Sequence, residues 1–531
     1  MKFLTRSLLI LFFLYGLVFA VGDMYLVRAG APVWLAVAFP ITLFLVQYLM
    51  GPWIIEMILD ISWTGADLPD RNRAFVEKLC ADRGLKVPRI GMIHSGTPNA
   101  FSFGRVRTDA RVVVTSGLLD VLSTEEANAV LAHEIGHIEH WDFIVMTLAA
   151  LAPLLLYQIY IFSDRISNLR LVGYTAYLFY LLSQFVVLML NRTREYWADH
   201  YAAEVTRDPD TLSSALVKIA YGMVRSEGEY REAMSTGTKD QKAAGRRNYR
   251  LGGSLALMGI SNLRSGAGLA LGANPAQAAA VMQWDLVNPW ARLYEMNSTH
   301  PLTALRVQEL NAQATAMNQS HRYALPQDRR IRWGLFPIEV LLWSAPCITG
   351  FLMLMVWWQS DLLASVGITF PPHFTAFLLL CTGVGWILRT LYRYGGEFQP
   401  AVVGRLLEDM DVSQMKPRAV RLSGKILGRG VPGAFWSPDL VLQDSTGIIF
   451  VLYRQSIPFA RWLFGVSEAD AYVGQEVEVE GWFRRGMTPY VEMSKIAGET
   501  TQAHRTYSRW IQIAVSIVAI AIGWLWMSGS L

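Results

Sequence analysis

Long apolar stretches constrain the fold of this chain more than any other feature. Seven of them lie at about residues 7–26, 33–59, 144–162, 171–190, 335–358, 363–388 and 510–527. A transmembrane helix needs about 20 such residues. Hydrophobic residues make up 53% of the chain, too large a share for an ordinary soluble enzyme of this length. The sequence therefore predicts a mainly α, multi-pass membrane protein, in which the third to sixth spans form two hairpins.

The first apolar stretch has two interpretations. Lys2 and Arg6 precede a run that ends near Val18–Ala20, which is typical of a cleaved signal peptide. The run is longer than the usual apolar core of such a peptide, which favours an uncleaved anchor. Both interpretations place the segment after Leu59 in the cytoplasm, because most Lys and Arg follow the second, fourth and sixth spans.

A short motif indicates metal chemistry. His133 and His137 stand one helical turn apart, with Glu134 between them. On a helix, both imidazoles can reach one metal ion while Glu134 acts as a general base. Ser123–Glu126 has the pattern of a capping box and predicts a helix that begins one residue after Ser123. Only three cysteines occur, two of them inside predicted spans, so His and carboxylate groups must hold the metal.

A third ligand is expected after the fourth span. The segment Arg192–Asp199 continues that span as a helix and places Glu195 and Asp199 on one face. One alternative is that both acids are solvated and balanced by Arg192 and Arg194, since such surface ion pairs are common.

Four motifs in order resemble one family. These are Asn99-Ala100-Phe101, His-Glu-x-x-His at 133–137, Glu195-x-x-x-Asp199, and Ser298-Thr299-His300-Pro301 followed by Arg306. The chain resembles, over about residues 60 to 315, the membrane zinc metallopeptidases that include HtpX-type proteases and CAAX prenyl proteases. The resemblance implies a zincin-like metallopeptidase domain with a small β-sheet.

The resemblance also implies roles for single residues. One zinc ion per chain would be held by His133, His137 and Glu195, with Glu134 as the catalytic general base. Asp199 would orient a ligand histidine. His300 and Arg306 would lie near the active site and support the transition state, although a helix N-terminus with a structural arginine is an alternative interpretation of these two residues.

A pair of strands is expected to bind the substrate. Val112–Thr115 is a β-branched run that predicts a strand, and the segment Asn99–Phe103 would supply a neighbouring edge. An edge strand binds an extended peptide by backbone pairing. Asn99, Ala100 and Phe101 are therefore the predicted substrate-binding residues, and core packing is the alternative for the two phenylalanines of this segment.

The C-terminal part predicts a separate domain. Five short strands are expected at Arg418–Ile426, Leu440–Gln443, Ile448–Tyr453, Val477–Trp482 and Tyr490–Ser494. Gly and Pro turns divide them, which indicates a small five-stranded barrel of the OB type. Between two of these strands, the apolar segment Ile457–Phe464 is expected either in the bilayer interface or buried inside the domain.

Nucleic acid is not an expected partner of this barrel. Aromatic and basic residues of the kind that bind single strands are present: Trp436, Arg454, Trp482, Arg484 and Arg485. The charge density is nevertheless too low to favour that role. A structural, substrate-recruiting or regulatory module is expected instead.

The predicted organisation has five parts. Residues 1–59 hold two transmembrane helices, 60–331 the metallopeptidase domain with a hairpin at about 144–190, 332–391 a second hairpin, 400–500 the OB-like domain, and 510–527 the last span. Within the second part, a charged segment at 227–250 is expected to be a loop. The Gly/Ala-rich segment at 252–282 is expected to be a packed helical hairpin, or else a lid.

The predicted function is hydrolysis of peptide bonds. The sequence indicates an integral-membrane zinc endopeptidase that acts on membrane or membrane-proximal proteins from the cytoplasmic side, in protein quality control. Prenyl-protein processing of the CAAX type is one alternative. A membrane scaffold or regulator that acts through the barrel is another. Protein or peptide substrates and the lipid bilayer are the expected partners, and the sequence predicts no particular oligomeric state.

Overall fold

The fold was analysed in a computed structural model that describes residues 13, 21, 33–63, 68–96, 98–164, 169–220, 275–326, 330–358, 373–429, 438–486 and 489–529. These residues form two compact units. The first contains 33–220 with 292–326, and the second contains 275–291 with 330–529. Four predicted features lie outside the described residues: the first span apart from residues 13 and 21, the charged segment 227–250, Trp436, and most of the Gly/Ala-rich segment.

Helices account for most of the described chain. In chain order they are α1 (Val33–Ile58), α2 (Asp70–Asp82), α3 (Ser116–Val121), α4 (Thr124–Glu139), α5 (Asp142–Asp164), α6 (Arg170–Thr206), α7 (Pro275–Val287), α8 (Pro289–Met296), α9 (Thr303–Ala316), α10 (Phe336–Trp358), α11 (Phe374–Arg393), α12 (Val403–Leu407), α13 (Pro458–Ser467) and α14 (Ser508–Met527). Residues 209–220 are also helical.

Five of the described helices are long and apolar enough to cross a membrane, namely α5, α6, α10, α11 and α14. They confirm the predicted mainly α, multi-pass membrane protein. The second apolar stretch forms the helix α1. One boundary differs from the sequence prediction, since the described part of the sixth span extends to Arg393 instead of ending near residue 388. Helix α6 continues from the fourth span through Thr206, as the sequence predicted for the segment that carries Glu195.

The first unit contains a small three-stranded sheet. Its strands are β1 (Arg89–Ile93), β2 (Ala100–Phe103) and β3 (Arg111–Thr115), in the order β1-β3-β2. β1 runs parallel to β3, whereas β2 runs antiparallel to it. The predicted strand at 112–115 is confirmed, and β2 lies at an edge of the sheet.

Helix α4 forms the centre of the first unit. It begins at Thr124, as predicted, because Ser123 and Glu126 form a capping box: the Glu126 amide donates to Ser123 Oγ at 3.3 Å, and the Ser123 amide donates to Glu126 Oε2 at 2.9 Å. Its apolar side chains, including Val130 and Ile135, are buried in a core shared with β3, α2 and α6. Burial of these side chains fixes which face of α4 turns toward α6.

The second unit contains a closed five-stranded barrel. After β4 (Gln399–Pro400), its strands are β5 (Arg418–Arg429), β6 (Leu440–Gln443), β7 (Ile448–Leu452), β8 (Glu476–Arg484) and β9 (Tyr490–Gly498), followed by β10 (His504–Arg505). Pairing runs β5-β6-β7-β9-β8 and returns to β5, with only β7 and β9 parallel. The helix α13 lies between β7 and β8. The predicted OB-like barrel is confirmed.

The barrel buries side chains that nucleic-acid binding would require at the surface. Trp482, Arg484 and Arg485 are at most 6% exposed. Arg484 donates to Glu492 at 2.7 Å, and Arg485 donates to the Val281 carbonyl at 2.6 Å. These arginines stabilise the interior of the second unit.

The apolar segment at 457–464 forms the start of α13, and its side chains divide between buried and exposed. Phe464 is buried and stacks on Tyr453 with ring centroids 4.2 Å apart. Phe459 and Trp462 are 66% and 51% exposed. One side of α13 therefore packs on the barrel while large apolar side chains on the other remain uncovered.

Candidate metal centre

Helices α4 and α6 bring the three predicted ligands together. One ligand atom from each of His133, His137 and Glu195 lies within 4.8 Å of the other two. The two imidazole Nε2 atoms are 3.1 Å apart. His133 Nε2 lies 3.7 Å from Glu195 Oε2, and His137 Nε2 lies 3.6 Å from Glu195 Oε1. Positions about sixty residues apart in sequence thus face one small space.

A carboxylate contacts each imidazole at Nδ1, on the side of the ring away from the shared space. Asp199 Oδ1 lies 3.0 Å from His133 Nδ1, as the resemblance implied for an orienting acid. Asp142 Oδ2 lies 2.6 Å from His137 Nδ1. With a carboxylate oxygen within 3.0 Å of each Nδ1 atom, both Nε2 atoms are directed at the shared space, the arrangement that metal-ligating histidines usually have.

This donor set fits a zinc ion. Two imidazole nitrogens and one carboxylate oxygen are ligands that Zn²⁺ takes in catalytic sites, where one further position is left for water or substrate. The site is also buried, since His133, Glu195 and Asp199 are all less than 5% exposed. Burial of several acids is costly unless cations or a metal compensate their charge.

Sequence reasoning did not identify Asp142. It stands five residues after His137, beyond the end of α4, so helical spacing does not place it near the motif. A turn does so: Trp141 has φ 60°, a left-handed conformation rare for a bulky residue, and it returns the chain to the motif helix. Arg194 contacts Asp142 and donates to the His140 carbonyl at 2.8 Å. The signal available in the sequence was an acid two residues before the predicted span at about 144–162.

Arg306 holds the two carboxylates of α6. Its Nε donates to Asp199 Oδ2 at 2.7 Å and its Nη2 donates to Asp199 Oδ1 at 2.6 Å, which is a bidentate pair. Its Nη1 lies 3.4 Å from Glu195 Oε2. Burial by itself would lower the pKa of Arg306, but Asp199 and Glu195 raise it, so the guanidinium stays charged.

The loop before α9 brings His300 to the same carboxylate. His300 Nδ1 lies 3.2 Å from Glu195 Oε2. Asn191 donates to the Thr299 carbonyl at 2.7 Å, and Arg192 donates to the Ser298 carbonyl at 3.0 Å. Residues of α6 just before Glu195 therefore fix the loop that carries His300.

The two imidazoles differ in charge. Burial lowers the pKa of His133, but the carboxylates of Asp199 and Glu195 outweigh burial and raise it to about 9. Burial and the neighbouring charge of His133 lower the pKa of His137 to about 4. Without a metal ion, the pair therefore favours a single positive charge, on His133, and a metal ion that binds both Nε2 atoms must displace the Nε2 proton of His133.

The other predicted residues lie on α4 and β2. Glu134 is buried beside His133 on α4. Ala100 and Phe101 are buried in the sheet, with Phe101 and Phe103 in one apolar cluster. The Asn99 amide donates to Thr115 Oγ1 at 2.8 Å. The two phenylalanine side chains thus face the core, and β2 lies at an edge of the sheet.

Comparisons with known proteins identify the family of this chain. Residues 70–314 match Peptidase family M48. A protein of Methanothermobacter thermautotrophicus named Protease HtpX homolog is 39% identical over 225 residues, which cover 41% of this chain and 86% of that protein. A Pyrococcus furiosus protein of the same name is 32% identical over 232 residues, covering 40% of this chain and 78% of that protein.

Among solved structures, the crystal structure of S. mikatae Ste24p matches with a TM-score of 0.33 and 17% identity, over 58% of this chain and 65% of that one. The matched residues 70–314 contain every residue of the candidate metal centre. The chain is a multi-pass membrane member of peptidase family M48.

Proposed function

We propose that this chain is a zinc-dependent endopeptidase that cleaves membrane or membrane-proximal proteins from the cytoplasmic side of the membrane, in protein quality control. The observation that supports zinc is the pair of imidazoles whose Nδ1 atoms face Asp199 and Asp142 and whose Nε2 atoms face Glu195. Family membership supports peptide hydrolysis. His133, His137 and Glu195 are the proposed ligands of one zinc ion.

The proposed mechanism assigns proton transfer to Glu134. Zinc, when bound, supplies a Lewis acid that polarises a peptide carbonyl and makes a water molecule acidic enough to react near pH 7. Glu134 accepts a proton from the attacking water and passes it to the nitrogen of the leaving amine. Asp199 and Asp142 hold the ligand imidazoles, and Arg306 keeps Asp199 in place through two hydrogen bonds. His300, beside Glu195, is placed to support the transition state.

The substrate is proposed to bind as an extended chain along β2. Among the described residues that strand pairs with β3 alone, so the other edge of the segment Asn99–Phe101 can pair with a peptide backbone. Because the Asn99 amide and carbonyl already bond to Thr115, the backbone of the next residue, Ala100, is the proposed contact. Backbone pairing selects for an unfolded segment and depends little on side chains. This tolerance suits quality control, in which many different damaged proteins must be cut.

The test compares two variants of the full-length protein in detergent. Glu134→Gln is expected to retain zinc and to lose cleavage of an unfolded membrane protein by at least about a hundredfold. Glu195→Gln is expected to lose zinc as well. Glu204→Gln is the matched control, because Glu204 is an exposed acid on the same helix that pairs with Arg83 at 3.3 Å.

Four results would contradict the proposal. Unchanged cleavage by Glu134→Gln would contradict the assignment of Glu134 as the general base. Full zinc content in Glu195→Gln would remove the ligand assignment. Turnover of a prenylated peptide, with no cleavage of unfolded membrane proteins, would favour the CAAX alternative. If the unaltered protein cleaves neither substrate, the remaining hypothesis is a membrane scaffold or regulator that acts through the barrel.

A further inference from the structure

The second unit contains a cavity of about 420 Å³, between the barrel and the ends of two spans, that the proposed peptidase function does not use. Arg389 and Arg393 line it from the C-terminal end of α11. Ser508 and Gln512 line it from the start of α14, while Arg454 and Arg461 line it from the barrel side. Its volume lies within the range typical of small-ligand sites.

The charge of this cavity is not balanced by its own acids. The lining contains two acids, Glu492 and Asp439. Glu492 already pairs with Arg484 at 2.7 Å and Arg393 at 3.3 Å, and Asp439 accepts a hydrogen bond from the Tyr453 amide at 3.0 Å. Among the residues that the structure describes, no carboxylate lies within 4.0 Å of the guanidinium groups of Arg389, Arg454 or Arg461. Three positive side chains thus converge on one cavity, where an anion would compensate their charge.

The cavity lies at the boundary of the membrane-spanning helices. Spans α11 and α14 pack closely, since a Cβ atom on Gly383 would approach the Ser516 carbonyl oxygen to 2.9 Å. Thr390 Oγ1 donates to Gln512 Oε1 at 3.3 Å, so the last turn of α11 adjoins the first turn of α14. Tyr507 and Trp510, at the start of α14, are exposed, as aromatic residues at a membrane–water interface are.

Helix α13 adds an exposed apolar surface next to this cavity. Arg461 lines the cavity beside residues of both spans, and its neighbours on α13, Phe459, Trp462 and Leu463, are exposed. A short helix with uncovered aromatic side chains and a basic residue is typical of a helix that lies in the headgroup region of a bilayer. Acyl chains would cover these side chains, and a headgroup would meet Arg461.

We propose that this cavity binds the phosphate headgroup of an anionic phospholipid from the leaflet that faces the barrel. Arg389, Arg454 and Arg461 supply the guanidinium donors, and the acyl chains lie against α13. A free phosphate ion would share the charge recognition but would leave the apolar side of α13 uncovered. Lipid composition would thereby affect how the barrel is held at the membrane.

The test uses the full chain in detergent and four probes: dihexanoyl phosphatidylglycerol, dihexanoyl phosphatidylcholine, glycerol phosphate and inorganic phosphate. Binding is measured by calorimetry and by native mass spectrometry. Saturable binding of phosphatidylglycerol is expected, at least about tenfold tighter than binding of the other three probes. The double variant Arg389→Gln/Arg461→Gln is expected to lose about tenfold in affinity for phosphatidylglycerol.

The matched control removes two exposed arginines of the same unit, as Arg332→Gln/Arg405→Gln. Their side chains are 66% and 85% exposed and form only long ion pairs. This control is expected to bind phosphatidylglycerol as the unaltered protein does. If both double variants lose the same affinity for phosphatidylglycerol, the effect depends only on net charge, and the proposal is overturned.

Two further outcomes would also overturn it. Phosphatidylcholine binding as tightly as phosphatidylglycerol would remove the anionic selectivity, and glycerol phosphate or inorganic phosphate binding equally well would make this a site for a soluble phosphate. If the Arg389 change prevents folding, Arg461→Gln alone replaces it, since Arg461 is exposed and its loss leaves the core unchanged. That single variant is expected to weaken phosphatidylglycerol binding about threefold, and no change would count against the site.

Discussion

His137 Nδ1 lies 2.6 Å from Oδ2 of Asp142, the residue at which the first helix of the membrane hairpin begins. The proposed zinc ligand is thus oriented by the membrane hairpin itself. Asp199 plays the same part for His133 from the far end of the same hairpin. Both imidazoles therefore depend on how the hairpin packs against α4.

The change Asp142→Asn is expected to weaken zinc binding by about 10- to 100-fold. The amide keeps the size of the side chain but removes the negative charge that orients His137 and pairs with Arg194. Zinc affinity is measured by competition with a chromophoric chelator. Glu125→Gln serves as the control, because Glu125 is an exposed acid on α4. Equal zinc affinity in both variants would show that Asp142 does not support the ligand.

Replacement of Arg306 by Met is expected to destabilise the protein by about 3–5 kcal/mol, because it leaves Asp199 and Glu195 as buried charges without their cation. Thermal unfolding in detergent measures the loss. The change Arg71→Met removes an exposed arginine of the same unit, and its expected effect is within about 0.5 kcal/mol. If both variants unfold at the same temperature, the pair of Arg306 and Asp199 adds no net stability.

Acid is expected to destabilise the barrel through Glu492. Burial by itself would raise the pKa of Glu492, but Arg484 and Arg393 outweigh burial and lower it from 4.5 to about 2. Because the pKa is lower in the folded state, the stabilising contribution is complete above about pH 4.5 and is lost as the pH falls to about 2. The loss is on the order of 3 kcal/mol.

Unfolding curves between pH 6 and about pH 2 measure this contribution as the difference between two variants. Glu492→Gln removes the group and is expected to flatten the fall in stability across this range. Glu478→Gln, on the same barrel and 49% exposed, is expected to leave the fall unchanged. Parallel curves for the two variants would mean that Glu492 does not account for the acid sensitivity.

The spans, the barrel strands and the start of α4 follow from the sequence because each depends on local pattern. Apolar length predicts spans, turn residues divide the strands, and Ser123 with Glu126 fixes the start of α4. Helical periodicity alone could not predict Glu195 as a ligand. Its face of α6 follows from helical spacing, but its proximity to His133 is a tertiary contact that only the family resemblance indicated.

The sequence did not predict the contacts that depend on a reversal of the chain or on which side chains are buried. The left-handed conformation of Trp141, not any spacing rule, brings Asp142 to His137. The sequence also did not predict whether the Phe101 side chain is buried or exposed, because an edge strand has one buried face and one exposed face. In the structure this side chain is buried. The arginine cavity combines residues of α11, α13 and α14 with the barrel, and no single segment carries its pattern.

Helix α6 is continuous from Arg170 to Thr206, so one rigid element both crosses the apolar layer and carries Glu195. Glu195 follows Leu190, the end of the apolar stretch, by five residues, or about 8 Å along the helix axis. The height of the candidate site above the end of the apolar stretch is therefore set by the geometry of one helix. For the proposed peptidase, a protein whose folded domain begins directly at the membrane surface would be protected, whereas one with even a short unfolded tether could be reached.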